Sequence, residues 1–349
     1  MIRGKSENLS AEEAITLSLC MIVKNEAHFL ARCLDAVKDH VDEIIIVDTG
    51  STDETRAIAA QYTDRIYDFE WCDDFAAARN HALEQASGDW ILVLDADEWM
   101  EAADATRLRQ IIADTDYDAF FLTEYNYSNN PLEKGWIPVE KQTPYSMGYA
   151  GYRKSLIARL FRNRQEIRYR GRIHEVIDHS LEAFRHTVLE MPLHHHGDAD
   201  PTKPQQVRQL NYLRMMEKEL EREPDNGRLH KAAASVCMYQ KQNYRGAIEH
   251  FKRAAALDYE RNECLEGTAE AHYRLAEYAE AYRIYQQLFQ SGYRTFTLCN
   301  NLANLLVKMG EFGSAAQVLR LALSMGKVGE DVAARLKHNL HSQEDKARQ

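Results

Sequence analysis

Ala247, Ala281 and Ala315 stand 34 residues apart, and three further columns keep the same step. Tyr244, Tyr278 and Phe312 form one column, Phe251, Tyr285 and Leu319 the next, and Ser235, Ala269 and Ala303 the last. A fixed period of this length means one small helical unit used three times, each burying its apolar face against the next. Small residues let two helices approach, and large ones fill the groove beside the crossing. The columns place repeats at about 228–261, 262–295 and 296–329, with a connecting helix near 205–222. Tyr259, Tyr293 and Lys327 stand near the repeat ends, where proline is usual.

The first half has a different grammar. Residues 16–125 alternate short apolar runs with helical patterns, which predicts an α/β sheet. Strands are expected at 17–23, 43–48, 64–69, 90–95 and 118–123, and helices at 27–40 and 73–85. Ser51 or Thr52 is placed to cap a further helix after the second strand. Residues 126–150, rich in Asn, Pro and Tyr, read as a long loop over the sheet. The expected division is an α/β domain at 15–200 and an all-α domain at 201–349.

The run Trp90-Ile91-Leu92-Val93-Leu94 ends abruptly in Asp95, Asp97 and Glu98. An apolar run of this kind reads as a strand buried on both faces. Ligands of such sheets bind beyond the carboxyl ends of the strands. Asp95 and Asp97 repel one another unless a cation sits between them. Mg²⁺ or Mn²⁺, held by one or two carboxylates plus phosphate oxygens, suits that position.

Other candidates carry two readings each. Asp48 ends the run Ile44–Val47 and can accept from a nucleobase or a ribose, or simply close an Asx turn with Thr49-Gly50. Arg79 lies on a helix of small residues, facing either a diphosphate or solvent. Glu175, beside His174, is a general base or a surface carboxylate. His194, His195 and His196 alternate in direction on a strand, so one or two of them can serve a single metal. Residues 152–172 hold eight basic residues against Glu166, and most of these read as a solvated face.

Bulk composition removes several classes. The net charge of −11 argues against general binding of nucleic acid or anionic lipid. No apolar run approaches the ~20 residues of a membrane helix. No signal-peptide core follows Met1, so a cytoplasmic location is expected. Six cysteines without a CxxC pair read as reduced thiols, not as disulfides or a zinc site. Neither GxxxxGK[ST] nor GxGxxG is present.

Four pieces together carry a resemblance: Leu19–Glu26, Val47–Asp53, Ala78-Arg79-Asn80 and Leu94–Glu98. In this order and spacing, residues 17–100 resemble the nucleotide-sugar half of a family 2 glycosyltransferase with the GT-A fold. Gly171–Glu175 and His195-His196-Gly197 resemble the later part of the subgroup that carries C-terminal tetratricopeptide repeats, which includes bacterial peptide S- and O-glycosyltransferases. Thr49 stands where many relatives have a second Asp, and Asp198 where many have an aromatic residue.

The resemblance implies a metal-dependent, inverting transfer of a hexose from a UDP-sugar to a peptide or protein. It implies Asp48 at the base, Arg79 at the base or diphosphate, and Asp95 near the ribose. Asp97 would bind Mn²⁺ or Mg²⁺, with His195 a further ligand and His196 its rival. Glu175 would take the acceptor's proton. The repeats would grip a polypeptide or a second copy of the enzyme. Two other readings stand beside it: transfer to a lipid-linked or lipopolysaccharide acceptor, and a non-catalytic repeat scaffold.

Overall fold

A computed structural model describes residues 15–131, 135–196, 205–325, 339–343, 345 and 346. Gly197, Asp198, Lys327 and the end of the third expected repeat lie outside the described residues. The chain falls into two compact units, Met1–Thr123 with Leu156–Leu193, and Glu124–Ser155 with His194–Gln349.

In unit one, β1 (Leu17–Val23) pairs in parallel with β2 (Glu43–Asp48) and β4 (Trp90–Val93). β3 (Ile66–Asp68) pairs in parallel with β2. Leu19 lies between Ile44 on one side and Leu92 on the other. β5 is Glu98–Met100, β6 Ala119–Ser128, β7 Ile137–Pro138, β8 Gly151–Arg162 and β9 His186–His195. The sheet order is β3-β2-β1-β4-β8-β6-β9-β5, with β7 on β8. The antiparallel pairing of β8 with β4 sets Leu160 beside Leu92 and Phe161 beside Ile91.

Alternation along the central strands builds two apolar layers. Leu17, Leu19 and Met21 point to one face with Ile44, Ile46, Trp90 and Leu92. There they meet α1 (Leu30–Val37) and α4 (Ala102–Ala113) through Leu30, Leu34, Leu108 and Ile112. Cys20, Ile45, Val47, Ile91 and Val93 point to the other face, against Ala76, Ala82 and Leu83 of α3 (Phe75–Gln85). Burial on both faces is why these strands are apolar at nearly every interior position, Ser18 being the exception. β1, β2 and β4 run in one direction, so their carboxyl ends share one edge, where Asp48 and Asp95 emerge.

Several expected bounds shift. The helix expected at 27–40 is α1 plus a 3₁₀ turn at Lys38–His40. The strand expected to end at 123 continues to Ser128. Within the expected loop, β7 adds to β8 by pairing Ile137 with Tyr152, and Trp136 Nε1 donates to Ser128 O at 3.1 Å. Two short helices, α2 (Thr55–Ala59) and α5 (Asp178–Leu181), complete this part.

Unit two carries α6 (Gln205–Leu220), α7 (Gly227–Tyr239), α8 (Tyr244–Ala256), α9 (Arg261–Arg274), α10 (Tyr278–Gln290), α11 (Phe296–Lys308) and α12 (Phe312–Ser324). From α7 onward each helix packs on its sequence neighbours. Ala247, Ala281 and Ala315 are buried in α8, α10 and α12, with Phe251, Tyr285 and Leu319 one turn on. A Cβ on Gly267 of α9 would stand 2.7 Å from the Phe251 ring, so only glycine permits this approach. The repeat extends to backbone conformation. Gln242, Ala276 and Gly310, again 34 apart, all take left-handed φ values of 52°, 58° and 82° at the turns within the helix pairs.

Candidate active site

Asp48 leaves the carboxyl end of β2 buried, and its Oδ1 accepts from the backbone N–H groups of Gly50 at 3.1 Å and Ser51 at 2.8 Å. This is the Asx turn allowed by the sequence. Its Oδ2 lies 3.7 Å from Arg56 Nη1 on α2. Asn25 Oδ1 accepts from the Thr52 backbone N–H at 2.7 Å, fastening the end of β1 to the same turn.

α3 builds the other half of the site. Asp74 caps it by accepting from the Ala77 N–H at 2.9 Å. Asn80 clasps Tyr169 twice, donating from Nδ2 to its carbonyl at 3.0 Å and accepting its N–H at 2.9 Å. The Phe75 N–H donates to the Arg172 carbonyl at 2.9 Å. Arg170 and Val176 exchange two backbone hydrogen bonds, so residues 170–176 close into a tight loop. The helix that carries Arg79 thus also anchors the loop that carries Glu175. His174 sits exposed in that loop with a left-handed φ of 53°.

Arg79, expected to face either a diphosphate or solvent, is buried. Its Nε donates to Glu175 Oε1 at 2.5 Å, and its Nη2 donates to Asp95 Oδ1 at 2.9 Å. On the far side of Asp95, Arg159 Nη2 donates to Oδ2 at 2.7 Å and to Glu98 Oε1 at 2.5 Å. Glu175, Arg79, Asp95, Arg159 and Glu98 therefore form one ladder of alternating charge. Burial raises the Asp95 pKa, but the two guanidinium groups outweigh it and hold the carboxyl well below the usual carboxylate range. Burial opposes the charge on Arg79, yet Asp95 and Glu175 more than restore it, so its pKa rises.

Arg159 departs from the solvated face expected for most of the basic run. Arg153, Lys154, Arg164 and Arg170 are exposed, whereas Arg159 is 2% exposed. A guanidinium at that depth needs carboxylate partners, and Asp95 with Glu98 supplies them. Glu98 is equally buried and belongs to the lattice of the site. Its Oε2 accepts from the Asp95 N–H at 2.9 Å.

Residues 18–181 match the family model described as Glycosyl transferase family 2. Over these residues the chain is similar to family 2 glycosyltransferases. It is 43% identical over 169 residues to a TPR repeat-containing protein of Synechococcus elongatus, covering 48% of this chain and 37% of that protein. It is 27% identical over 216 residues to the SPbeta prophage-derived glycosyltransferase SunS of Bacillus subtilis, covering 60% of this chain and 46% of that protein. The chain thus spans less than half the length of either relative. Among solved structures, residues 1–349 of S. aureus TarS align with a TM-score of 0.42 and 15% identity, over 80% of this chain and 93% of that one.

The matched residues 18–181 include Asp48, Arg79, Asp95, Asp97 and Glu175, with the three histidines 194–196 beyond them, and carboxylates of this kind fit a hard divalent cation. Both oxygens of Asp95 are occupied by guanidinium groups. Asp97, half-buried at the same strand end, is the carboxylate that would be open to a cation there. Among the described residues no three His, Cys, Asp or Glu side chains gather into a cage. Mg²⁺ and Mn²⁺ do not need one, since substrate phosphates and water complete their shells. The buried Nη1 of Arg79 has no hydrogen-bond partner among the described residues and is a donor suited to an anionic oxygen.

In unit two, His194 and His196 share one face, and their rings stack on Tyr145 at 4.5 Å and Tyr127 at 4.6 Å. His195 takes the other face, with Nδ1 2.9 Å from Asn126 Oδ1 and 3.9 Å from Glu124 Oε1. A metal-binding imidazole commonly has one nitrogen fixed in this way. His194 Nδ1 is held in the same way, 2.8 Å from the Tyr127 hydroxyl, so this contact does not single out His195 among the three histidines. Among the described residues no helix is long and apolar enough to cross a membrane.

Proposed function

We propose that the protein is a metal-dependent, inverting glycosyltransferase that moves a hexose from a UDP-sugar to a peptide or protein. The observation that carries this reading is the Glu175–Arg79–Asp95 ladder beside Asp97 at the strand ends. In this reading Glu175 serves the acceptor, and Arg79 with Asp95 serves the donor.

Asp97 would hold Mn²⁺ or Mg²⁺. When bound, the cation supplies Lewis-acid stabilisation of the departing diphosphate. Arg79 Nη1, on a buried guanidinium, offers a hydrogen bond to the same developing charge. Asp48 stands at the edge of the sheet for the base, with Asp95 near the ribose. Glu175 Oε2 takes the acceptor's proton while Arg79 holds Oε1. The acceptor atom then attacks the anomeric carbon from the face opposite the diphosphate, so one bond forms as the other breaks and the configuration inverts.

The polypeptide acceptor is supported by the helical repeats, since such arrays present extended surfaces. A second copy of the enzyme is the other occupant we propose for them. The experiment is intact-mass analysis of the protein proteome of matched cells with and without the gene. Loss of a hexose increment from a protein supports the reading. Unchanged proteins with an altered lipid-linked glycan would move the acceptor to lipid.

A further inference from the structure

Arg159 has no assigned role, and it occupies a decisive place. Its Nη2 bonds Asp95 Oδ2 at 2.7 Å and Glu98 Oε1 at 2.5 Å. The backbone joins the same two residues twice more. The Glu98 N–H donates to the Asp95 carbonyl at 3.0 Å, and the Asp95 N–H donates to Glu98 Oε2 at 2.9 Å. The four-residue turn 95–98 is thus pinned at both ends by one side chain on a neighbouring strand. Asp97 is carried on that turn. β8 pairs with β4 from Trp90 to Leu92, so the strand that delivers Arg159 is fixed against the strand that delivers Asp95.

We infer that Arg159 is a positioning residue for the Asp97 carboxylate, holding the turn in the geometry that binds the divalent cation. The inference rests on the proposed role of Asp97. Buried groups behind a metal ligand typically contribute about 10–100-fold in metal affinity. Arg159 neutralises Asp95 and Glu98 as well, so that the cation meets one aimed carboxylate and not three mobile ones.

The test is Mn²⁺ affinity in the presence of UDP, read by electron paramagnetic resonance on the full chain, with melting temperature measured in parallel. The variants are Arg159→Met and the double change Arg159→Met with Glu98→Leu. The double change replaces the buried pair with apolar groups and so tends to restore stability. A double variant that melts with the wild type but binds Mn²⁺ about 10–100-fold more weakly supports the inference. Wild-type Mn²⁺ affinity in that variant overturns it. If both fail to fold, Arg159→Lys decides in the same way, because its charge is kept on a side chain one bond shorter. Wild-type protein that binds no Mn²⁺ with UDP overturns the metal role of Asp97 and this inference with it. Failure of the inference alone shows only in the variants.

Discussion

Arg79 Nε donates to Glu175 Oε1 across 96 positions of sequence, and the same guanidinium holds Asp95. One side chain therefore fixes a carboxylate from the loop 170–176 against a carboxylate from the end of β4. Arg79→Met removes the cation and leaves two carboxylates facing each other in a largely buried place. Loss of one partner from such a network costs about 3–5 kcal/mol. Urea denaturation of Arg79→Met should show a loss of that size, and UDP should no longer raise its melting temperature. A variant as stable as wild type would remove the ladder from the account.

Acid should unfold this domain through Asp95. Its folded pKa lies below the unfolded value of about 3.9. The stabilisation is therefore complete above that value and is lost as pH falls below it. Asp95→Asn should be less stable than wild type at neutral pH, and the difference should narrow as pH drops from about 4 toward 2. Melting temperatures recorded across that range check it. A gap independent of pH would mean that the carboxylate charge is not what matters.

The helical repeats make a backbone prediction. Ala276 takes a left-handed φ of 58° where Gly310 takes 82°. A side chain costs about 1–2 kcal/mol there, and the entropy of an added glycine returns part of it. Ala276→Gly should be neutral to about 1 kcal/mol stabilising, and Gly310→Ala should destabilise by about 1 kcal/mol. Thermal melts should place Gly310→Ala below the wild type and Ala276→Gly at or above it.

Gly267 gives a packing prediction. Its Cβ position lies 2.7 Å from Phe251 Cε2 and Cζ. Gly267→Val should force α8 and α9 apart and destabilise by about 1–3 kcal/mol. Combination with Phe251→Leu should cost less than the two changes added separately. Strict additivity would show that the two positions do not touch.

Much of this architecture was legible in the sequence, for a physical reason. β1, β2 and β4 are buried on both faces, so their interiors are almost continuously apolar and mark their own bounds. The helical columns were legible because a helix crossing tolerates only small residues. Arg159 was not legible as one of eight basic residues in 152–172. Its signal was there, however: it interrupts the apolar run Leu156-Ile157-Ala158-Arg159-Leu160-Phe161, where a charge is costly unless paired. The Arg79–Glu175 contact had no such local mark. It depends on Asn80 clasping Tyr169, which only the folded chain brings together. The short strand β5 was hidden because Glu98 reads as one more strand-end acid, not as a buried partner of Arg159.

The most direct measurement is the thermal shift of the full chain against UDP and a panel of UDP-sugars, with and without Mn²⁺, for the wild type and Asp97→Ala. The account predicts a stabilisation that requires both nucleotide and metal and that disappears in Asp97→Ala while its unliganded melting temperature stays near wild type. A wild-type protein indifferent to every nucleotide, or an Asp97→Ala variant that responds as the wild type does, would contradict it.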